Sequence, residues 1–217
     1  REGAEIVVDV YHALGAVPFA LRELGLGSAW AVGGGYKYLQ LGEGNCFLRL
    51  PAHAEDLRPA ITGWYAEFGA LTDEHDPSRV AYGHGAERFA GATYDPTSHY
   101  RAARVLAFFD EQGLTPERLR SSYRHQVDLL AAGFDALGVD DAIVTRDRSI
   151  ELDRVGGFLA LRSPHAGAVQ RALAERGVLT DSRGPWLRLG PAPYLSDEQL
   201  EAAIALLGEA VAGLKLS

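Results

Sequence analysis

Gly33-Gly34-Gly35-Tyr36-Lys37-Tyr38-Leu39 follows the apolar run Ala29-Trp30-Ala31-Val32 and sets a lysine just beyond three glycines. Of 21 basic residues, only Lys37 and Lys215 are lysines. Arginine stays protonated, whereas a lysine that is desolvated or placed beside another cation can lose its proton and attack a carbonyl. A lysine kept here in an arginine-using chain is therefore a candidate nucleophile, with a surface lysine in a turn as the plainer alternative. The glycines are expected to permit unusual backbone angles in the connection that carries it.

Working outward, Ile6-Val7-Val8 is a short β-branched run ending at Asp9, and Tyr11-His12-Ala13-Leu14-Gly15 predicts a loop or short helix after it. Ala29 to Val32 predicts a second strand and Cys46-Phe47-Leu48-Arg49-Leu50 a third, with Lys37 in the connection between them. Asp9 then stands near the C-terminal end of its strand, the edge of an open α/β sheet where ligands collect. Residues 51–96 lose periodicity but keep Trp64, Tyr65, Phe68, Tyr82, Phe89 and Tyr94, which suits a functional surface better than a linker.

Beyond that, residues 97–112 predict a helix with Tyr100, Val105, Phe108 and Phe109 turned inward and Gly113 as its stop. Thr115-Pro116 opens another, capped by the threonine, with Leu119, Tyr123, Val127, Leu130, Phe134 and Leu137 at helical spacing and Gly138 at its end. Residues 142–144, 158–161 and 187–189 are expected strands, and 164–176 a helix ended by Gly177. Ser196-Asp197-Glu198-Gln199 matches a capping box before a last helix running through Leu214. The pattern gives an α/β first domain over residues 1–95 and an α+β second domain over 96–217, without repeats.

Composition narrows the function classes. The 217 residues, 47% of them hydrophobic, suffice for one good core or two small ones. A formal net charge of −8 without a basic block argues against general nucleic-acid or anionic-membrane binding. No apolar run is long enough to span a membrane, and no secretory signal is evident. The single cysteine, Cys46, leaves no internal disulfide and points to a reducing, cytoplasmic setting. No metal-ligand spacing occurs. The chain lacks methionine, and an apolar segment starts soon after Arg1, so part of a longer protein is expected, or the loss of an initiator and a few residues.

Asp9, His12, Tyr36 and Lys37 make a set. Pyridoxal phosphate requires an amine for covalent attachment and a carboxylate against its ring nitrogen, since a protonated pyridinium is the stronger electron sink. Taken singly, Asp9 is a helix cap or solvated carboxylate and His12 a structural histidine; together they supply that chemistry. Val8-Asp9-Val10-Tyr11-His12-Ala13-Leu14-Gly15, Gly35-Tyr36-Lys37-Tyr38-Leu39, Thr62-Gly63-Trp64, Arg88-Phe89 and Arg188-Leu189-Gly190-Pro191-Ala192-Pro193 resemble kynureninase, a class V family of fold-type I pyridoxal-phosphate enzymes.

The resemblance implies the second half of the large α/β cofactor domain over residues 1–95 and the C-terminal small domain over 96–217. It implies a homodimer with the active site at the subunit interface. Lys37 would carry the cofactor, Asp9 would pair with its ring nitrogen and His12 would lie beside it. Tyr36, Trp64 and Thr93 would complete the cofactor site, with Trp64 reaching across the dimer. Tyr36 is also a candidate proton relay, and Arg188 would grip the substrate α-carboxylate. Blander roles remain for three of these: Trp64 as a core aromatic, Tyr36 as a packed turn residue, Arg188 as a surface ion pair. The implied reaction is hydrolysis of the Cβ–Cγ bond of L-kynurenine or 3-hydroxykynurenine to the anthranilate and L-alanine, within tryptophan catabolism.

Two positions depart from the family. Gly91-Ala92-Thr93 stands where an asparagine contacting the substrate's aromatic part is expected, and Gln40 stands where asparagine is common. The N-terminal half of the family's large domain is expected to be missing from the chain. The alternatives are a class V aminotransferase, a desulfurase-like enzyme, or an incomplete chain acting as an interaction module. A desulfurase requires a mobile nucleophilic cysteine, and Cys46 is expected to be buried in a strand and inert.

Overall fold

A computed structural model of the chain describes residues 3–74 and 76–214; Lys215 lies outside the described residues. The chain divides into two compact units, one holding the segment up to Leu14 with Phe19–Phe109, the other Gly15–Pro18 with the chain from Asp110 onward. Packing thus groups the helix that begins at Thr97 with the first unit, whereas the sequence reading divides the chain between residues 95 and 96.

The first unit is built on a three-stranded sheet of β1 (Val7–Asp9), β2 (Trp30–Gly34) and β3 (Cys46–Arg49), in that spatial order. β1 and β2 are parallel, with Asp9 opposite Val32, so Asp9 and the segment after Gly34 emerge at the same edge. β3 returns antiparallel to β2. The Arg49 guanidinium ties the start of β2 by donating to the carbonyls of Ala29 at 2.6 Å and Gly27 at 2.9 Å. Three short 3-10 helices follow, Ala52–Ala54, Trp64–Ala70 and Gly85–Phe89, then α1 (Thr97–Glu111).

The inward face of α1 differs from expectation. Tyr100 is 77% exposed and Phe108 is also exposed, while Ser98 and Ala102 are buried. Polar contacts set this face. Ser98 Oγ donates to the Gly44 carbonyl at 3.3 Å, and Arg101 Nε donates to that of Leu41 at 2.6 Å. Small and hydrogen-bonding residues therefore face the loop before β3, while of the four expected inward residues Val105 and Phe109 are half-buried and Tyr100 and Phe108 exposed.

The second unit places α2 (Pro116–Ala136), α3 (Ala166–Ala174) and α4 (Asp197–Ala212) with an antiparallel sheet of β4 (Leu159–Arg162), β6 (Trp186–Leu189) and β5 (Asp181–Arg183), β6 in the middle. Thr115 caps α2 by accepting from the Arg118 amide at 3.3 Å, with Pro116 in the first turn. Leu119, Tyr123, Val127, Leu130 and Phe134 are buried as their spacing predicts. The capping box at Ser196 and Gln199 forms, and α4 ends at Ala212 rather than Leu214. One core joins Phe134, Leu161, Val169, Leu173, Leu187, Ile204 and Leu207.

Residues 142–144 are not a strand. Asp140 captures them, its Oδ1 accepting from the Ala142 amide at 2.9 Å and its carbonyl from those of Ile143 and Val144. Val144 still reaches the core, and only Thr145 bridges to Arg162. β5, Asp-Ser-Arg, carries no apolar alternation and is not predicted by pattern.

Candidate active site

The parallel pairing of β1 with β2 assembles the first group of candidate residues. Asp9 closes β1, and its Oδ1 accepts from the Tyr11 amide at 2.9 Å, a local turn that reverses the chain and sets Tyr11 and His12 beyond the sheet edge. Lys37 follows β2 by three residues and meets them there. Its Nζ lies 2.9 Å from His12 Nε2 and 3.4 Å from Nδ1, and 5.9 Å from the ring centroids of both Tyr11 and Tyr36. The Tyr11 and Tyr36 rings are 5.4 Å apart, and His12 packs edge-on to Tyr38. Asp9, His12 and Tyr36 are exposed and Lys37 half-buried.

Tyr11 has no role in the sequence reading, although it lies between Asp9 and His12. Its phenol is pushed up to about 12, chiefly by a hydrogen bond to Cys46, then by desolvation and the neighbouring Cys46, Tyr36 and Asp9. It therefore stays neutral at physiological pH. Cys46 is exposed, not buried as expected, because β3 presents Cys46, Phe47 and Leu48 to solvent.

The triple glycine acts differently from the expectation. None of Gly33, Gly34 and Gly35 has positive φ. They are required by close approach: a Cβ on Gly33 would come within 2.7 Å of Phe47 and Val10, and one on Gly34 within 2.7 Å of Tyr11 and 2.9 Å of the Cys46 sulfur. The left-handed residue is Gln40, with φ of 55°, and among the described residues it is the sole non-glycine with positive φ. A left-handed position suits asparagine better than glutamine.

Thr62 Oγ1 donates to the carbonyls of Arg88 at 3.3 Å and Ala90 at 3.2 Å, joining two segments that the sequence reading singles out separately. Trp64 is half-exposed and packs edge-on against Tyr65 and Phe68, in an aromatic cluster of its own rather than in the Lys37 group. Thr93 is exposed in the loop before α1. Arg188, in the second unit, points away from buried Leu187 and Leu189 as strand alternation requires. Its guanidinium donates to Asp181 Oδ2 and lies 5.5 Å from the Phe158 ring centroid. A carboxylate arriving at Arg188 would thus meet a group already paired.

An amine, an imidazole and a carboxylate at one sheet edge fit the donor set that pyridoxal phosphate requires: Lys37 for attachment and Asp9 for the ring nitrogen. Among the described residues no cluster of three or more His, Cys, Asp or Glu could hold a metal, and no helix is long and apolar enough to cross a membrane.

Residues 139–207 match the family model of the kynureninase C-terminal domain. Kynureninase of Pseudomonas fluorescens is 28% identical over 213 residues, covering 95% of this chain and 49% of that protein. The Xanthomonas axonopodis pv. citri (strain 306) kynureninase is 31% identical over 202 residues, covering 88% and 45%. Among solved structures, the apo cysteine desulfurase of Thermococcus onnurineus NA1 superposes with a TM-score of 0.78 at 19% identity, over 98% of this chain and 54% of that one. Alanine–glyoxylate aminotransferase of Nostoc sp. gives 0.62 at 18%, over 96% and 54%. The chain spans about half the length of the curated relatives it matches. It is kynureninase-like, and its fold is that of the fold-type I pyridoxal-phosphate enzymes.

Proposed function

We propose that the chain carries the lysine-bearing part of a pyridoxal-phosphate-dependent kynureninase, hydrolysing the Cβ–Cγ bond of L-kynurenine or 3-hydroxykynurenine in a cytoplasmic homodimer of tryptophan catabolism. The observation that supports this best is the meeting of Lys37 and His12 at the sheet edge where Asp9 closes β1. The bound cofactor supplies an electron sink for the substrate α-carbon. Asp9 keeps the ring nitrogen protonated, since a carboxylate stabilises the pyridinium that a neutral amide would not. Lys37, with its amine free, would take the α-proton of the substrate. Tyr36, whose ring lies beside Lys37, would relay the proton released when water adds to the γ-carbonyl. Arg188 holds the α-carboxylate with its planar fork, exchanging Asp181 for substrate. Trp64 and Thr93 contribute to the cofactor site, Trp64 from across the dimer. Residues 1–95 form the cofactor domain and 96–217 the small domain in this reading.

The test is incubation with pyridoxal phosphate, borohydride reduction and peptide mapping, with product analysis from L-kynurenine. Attachment at Lys37 with release of anthranilate and L-alanine is expected. Attachment elsewhere, or none, would reject the reading in favour of an interaction module. The exposure of Cys46 favours one second reading, a desulfurase-like enzyme, which would release alanine and sulfur from L-cysteine. An aminotransferase would instead leave pyridoxamine phosphate and a keto acid.

A further inference from the structure

The second sheet has one covered face and one open face. Leu159, Leu161, Leu187 and Leu189 point into the core, so the alternate positions Ala160 and Arg162 on β4, Trp186 and Arg188 on β6, and Asp181 and Arg183 on β5 share the other side. The register sorts these into two rows across the strands. Ala160, Arg188 and Asp181 make one row, and Arg162, Trp186 and Arg183 make the next. In the first, a guanidinium meets a carboxylate directly across the strands, Arg188 donating to Asp181 Oδ2. In the second, an indole stands between two arginines, and the row contains no acid.

The charge of that second row is not compensated within it. Arg183 Nε lies 3.6 Å from the same Asp181 oxygen that Arg188 holds, and an exposed pair at that distance is weak. Arg162 is exposed, and its guanidinium has no partner among the described residues. The open face therefore carries Arg162, Arg183 and Arg188 against Asp181 alone, in a chain whose formal net charge is −8. The indole is equally available. Trp30 donates to Glu5 and packs on Phe89, and Trp64 packs on Tyr65 and Phe68. Trp186 is 42% exposed, and among the described residues no ring, cation or hydrogen-bond acceptor lies against it.

We propose that the row of Arg162, Trp186 and Arg183 binds an aryl carboxylate, its ring on the indole and its carboxylate on the Arg162 guanidinium, with Arg183 adding charge from the other side. Each part of that ligand answers a group the row leaves open. Residues directly opposite across antiparallel strands stand about 5 Å apart at Cβ. A ring stacked on the indole therefore brings a carboxylate on its own rim beside the guanidinium of the next strand. The planar fork of arginine matches the two carboxylate oxygens, and aromatic faces prefer offset stacking. A neutral ring would leave Arg162 without its counter-charge, and a saturated carboxylate would leave the indole face without a flat partner. All three residues belong to the second unit, so the site requires neither Lys37 nor a cofactor.

Three probes test it on the chain itself. The indole N–H signal of Trp186, identified by its loss in Trp186→Phe, is followed by NMR while benzoate, benzamide and cyclohexanecarboxylate are titrated separately. Benzamide keeps the shape of benzoate without the charge, and cyclohexanecarboxylate keeps the charge without a flat ring. Benzoate is expected to bind about tenfold more tightly than either, the scale of one charge-assisted or stacking contact. Its advantage over benzamide should shrink as salt is added, since the arginines are exposed. Arg162→Gln should remove that advantage altogether. In Trp186→Leu, read through the signals of the ligands, benzoate should lose its advantage over cyclohexanecarboxylate. Both variants alter exposed side chains, and an unchanged urea midpoint confirms that the fold is kept. Lys37→Met should leave all three affinities as they are, so a failure of cofactor attachment at Lys37 bears on the functional reading alone. Equal affinities for the three probes, a Trp186 signal that benzoate does not move, or a benzoate preference that survives in Arg162→Gln would each overturn the proposal.

Discussion

Gly35→Ala should be the most damaging small change in the Lys37 loop, for a reason visible in the packing. A Cβ at position 35 would meet Leu41 Cδ1 and lie 2.6 Å from its Cγ and 2.8 Å from its Cβ. Leu41 cannot swing aside by a rotamer change, since its own Cβ is among the atoms struck. The backbone cannot separate cheaply either: the Leu41 amide donates to the Gly35 carbonyl and the Gly35 amide to that of Asn45, each at 2.8 Å. Leu41 is also buried. Overpacking of this kind costs about 1–3 kcal/mol, and losing one of the two hydrogen bonds adds about 1 kcal/mol. The loss should therefore be about 2–4 kcal/mol and should displace residues 36–40. The assay is urea denaturation in a Trp186→Phe background, where the emission comes from Trp30 and Trp64, both in the first unit. Borohydride fixation at Lys37 reads the loop separately. A midpoint within about 0.5 kcal/mol of the parent, with fixation unchanged, would refute the packing argument.

Lys37→Ala should abolish cofactor fixation while leaving the urea midpoint nearly unchanged; a reducible adduct that persists at another site would contradict the assignment. Asp9→Asn should retain attachment but lower turnover of L-kynurenine by at least about a hundredfold, the scale of removing one preorganised electrostatic partner, as read by anthranilate release. Gln40→Asn should raise stability by about 0.5–1 kcal/mol by easing a left-handed residue, and a lower urea midpoint would count against it. Asp135 is held below the usual carboxylate range by hydrogen bonds from Arg146, with Arg148 adding charge. A depressed carboxylate stabilises the fold above its unfolded pKa and loses that contribution as pH falls through the folded value. The stability gap between the parent and Arg146→Gln should therefore be present at neutral pH and shrink below about pH 4, which paired urea titrations would detect.

The elements whose determinants are local were legible. Thr115-Pro116 and the Ser196–Gln199 box define helix starts through hydrogen bonds within four residues, and both form. The Leu119 to Phe134 spacing selects a face because one long helix packs on one core. Where a distant partner decides, local pattern misled. The face of α1 is chosen by Arg101 and Ser98 bonding to the loop before β3, more than fifty residues away in sequence, and no periodicity encodes that. Residues 142–144 are apolar enough for a strand, yet Asp140 can satisfy their amides sooner than a neighbouring strand can.

The candidate site shows the same division. That Asp9 and Lys37 share an edge follows from two strands being parallel, and the sequence supports that inference because Asp9 ends one apolar run and Lys37 follows another after a short glycine stretch. That His12 reaches Lys37 does not follow, since it depends on the turn made when Asp9 captures the Tyr11 amide. The Cys46 expectation failed one level higher. A short apolar run such as Cys46 to Leu48 implies burial only if something covers both faces of the sheet, and an antiparallel strand such as β3 can leave a face to solvent. Here Val7, Phe47 and Leu48 on β1 and β3, and Ile6 just before β1, are exposed. The strand pattern was read correctly as strand; burial is a property of the layer above it, which these residues do not encode. The exposure of Cys46 and the exposure of these four apolar side chains are accordingly one observation. Any perturbation that covers β3 should change the Cys46–Tyr11 contact and, through the Tyr11–Tyr36 pair, the surroundings of Lys37.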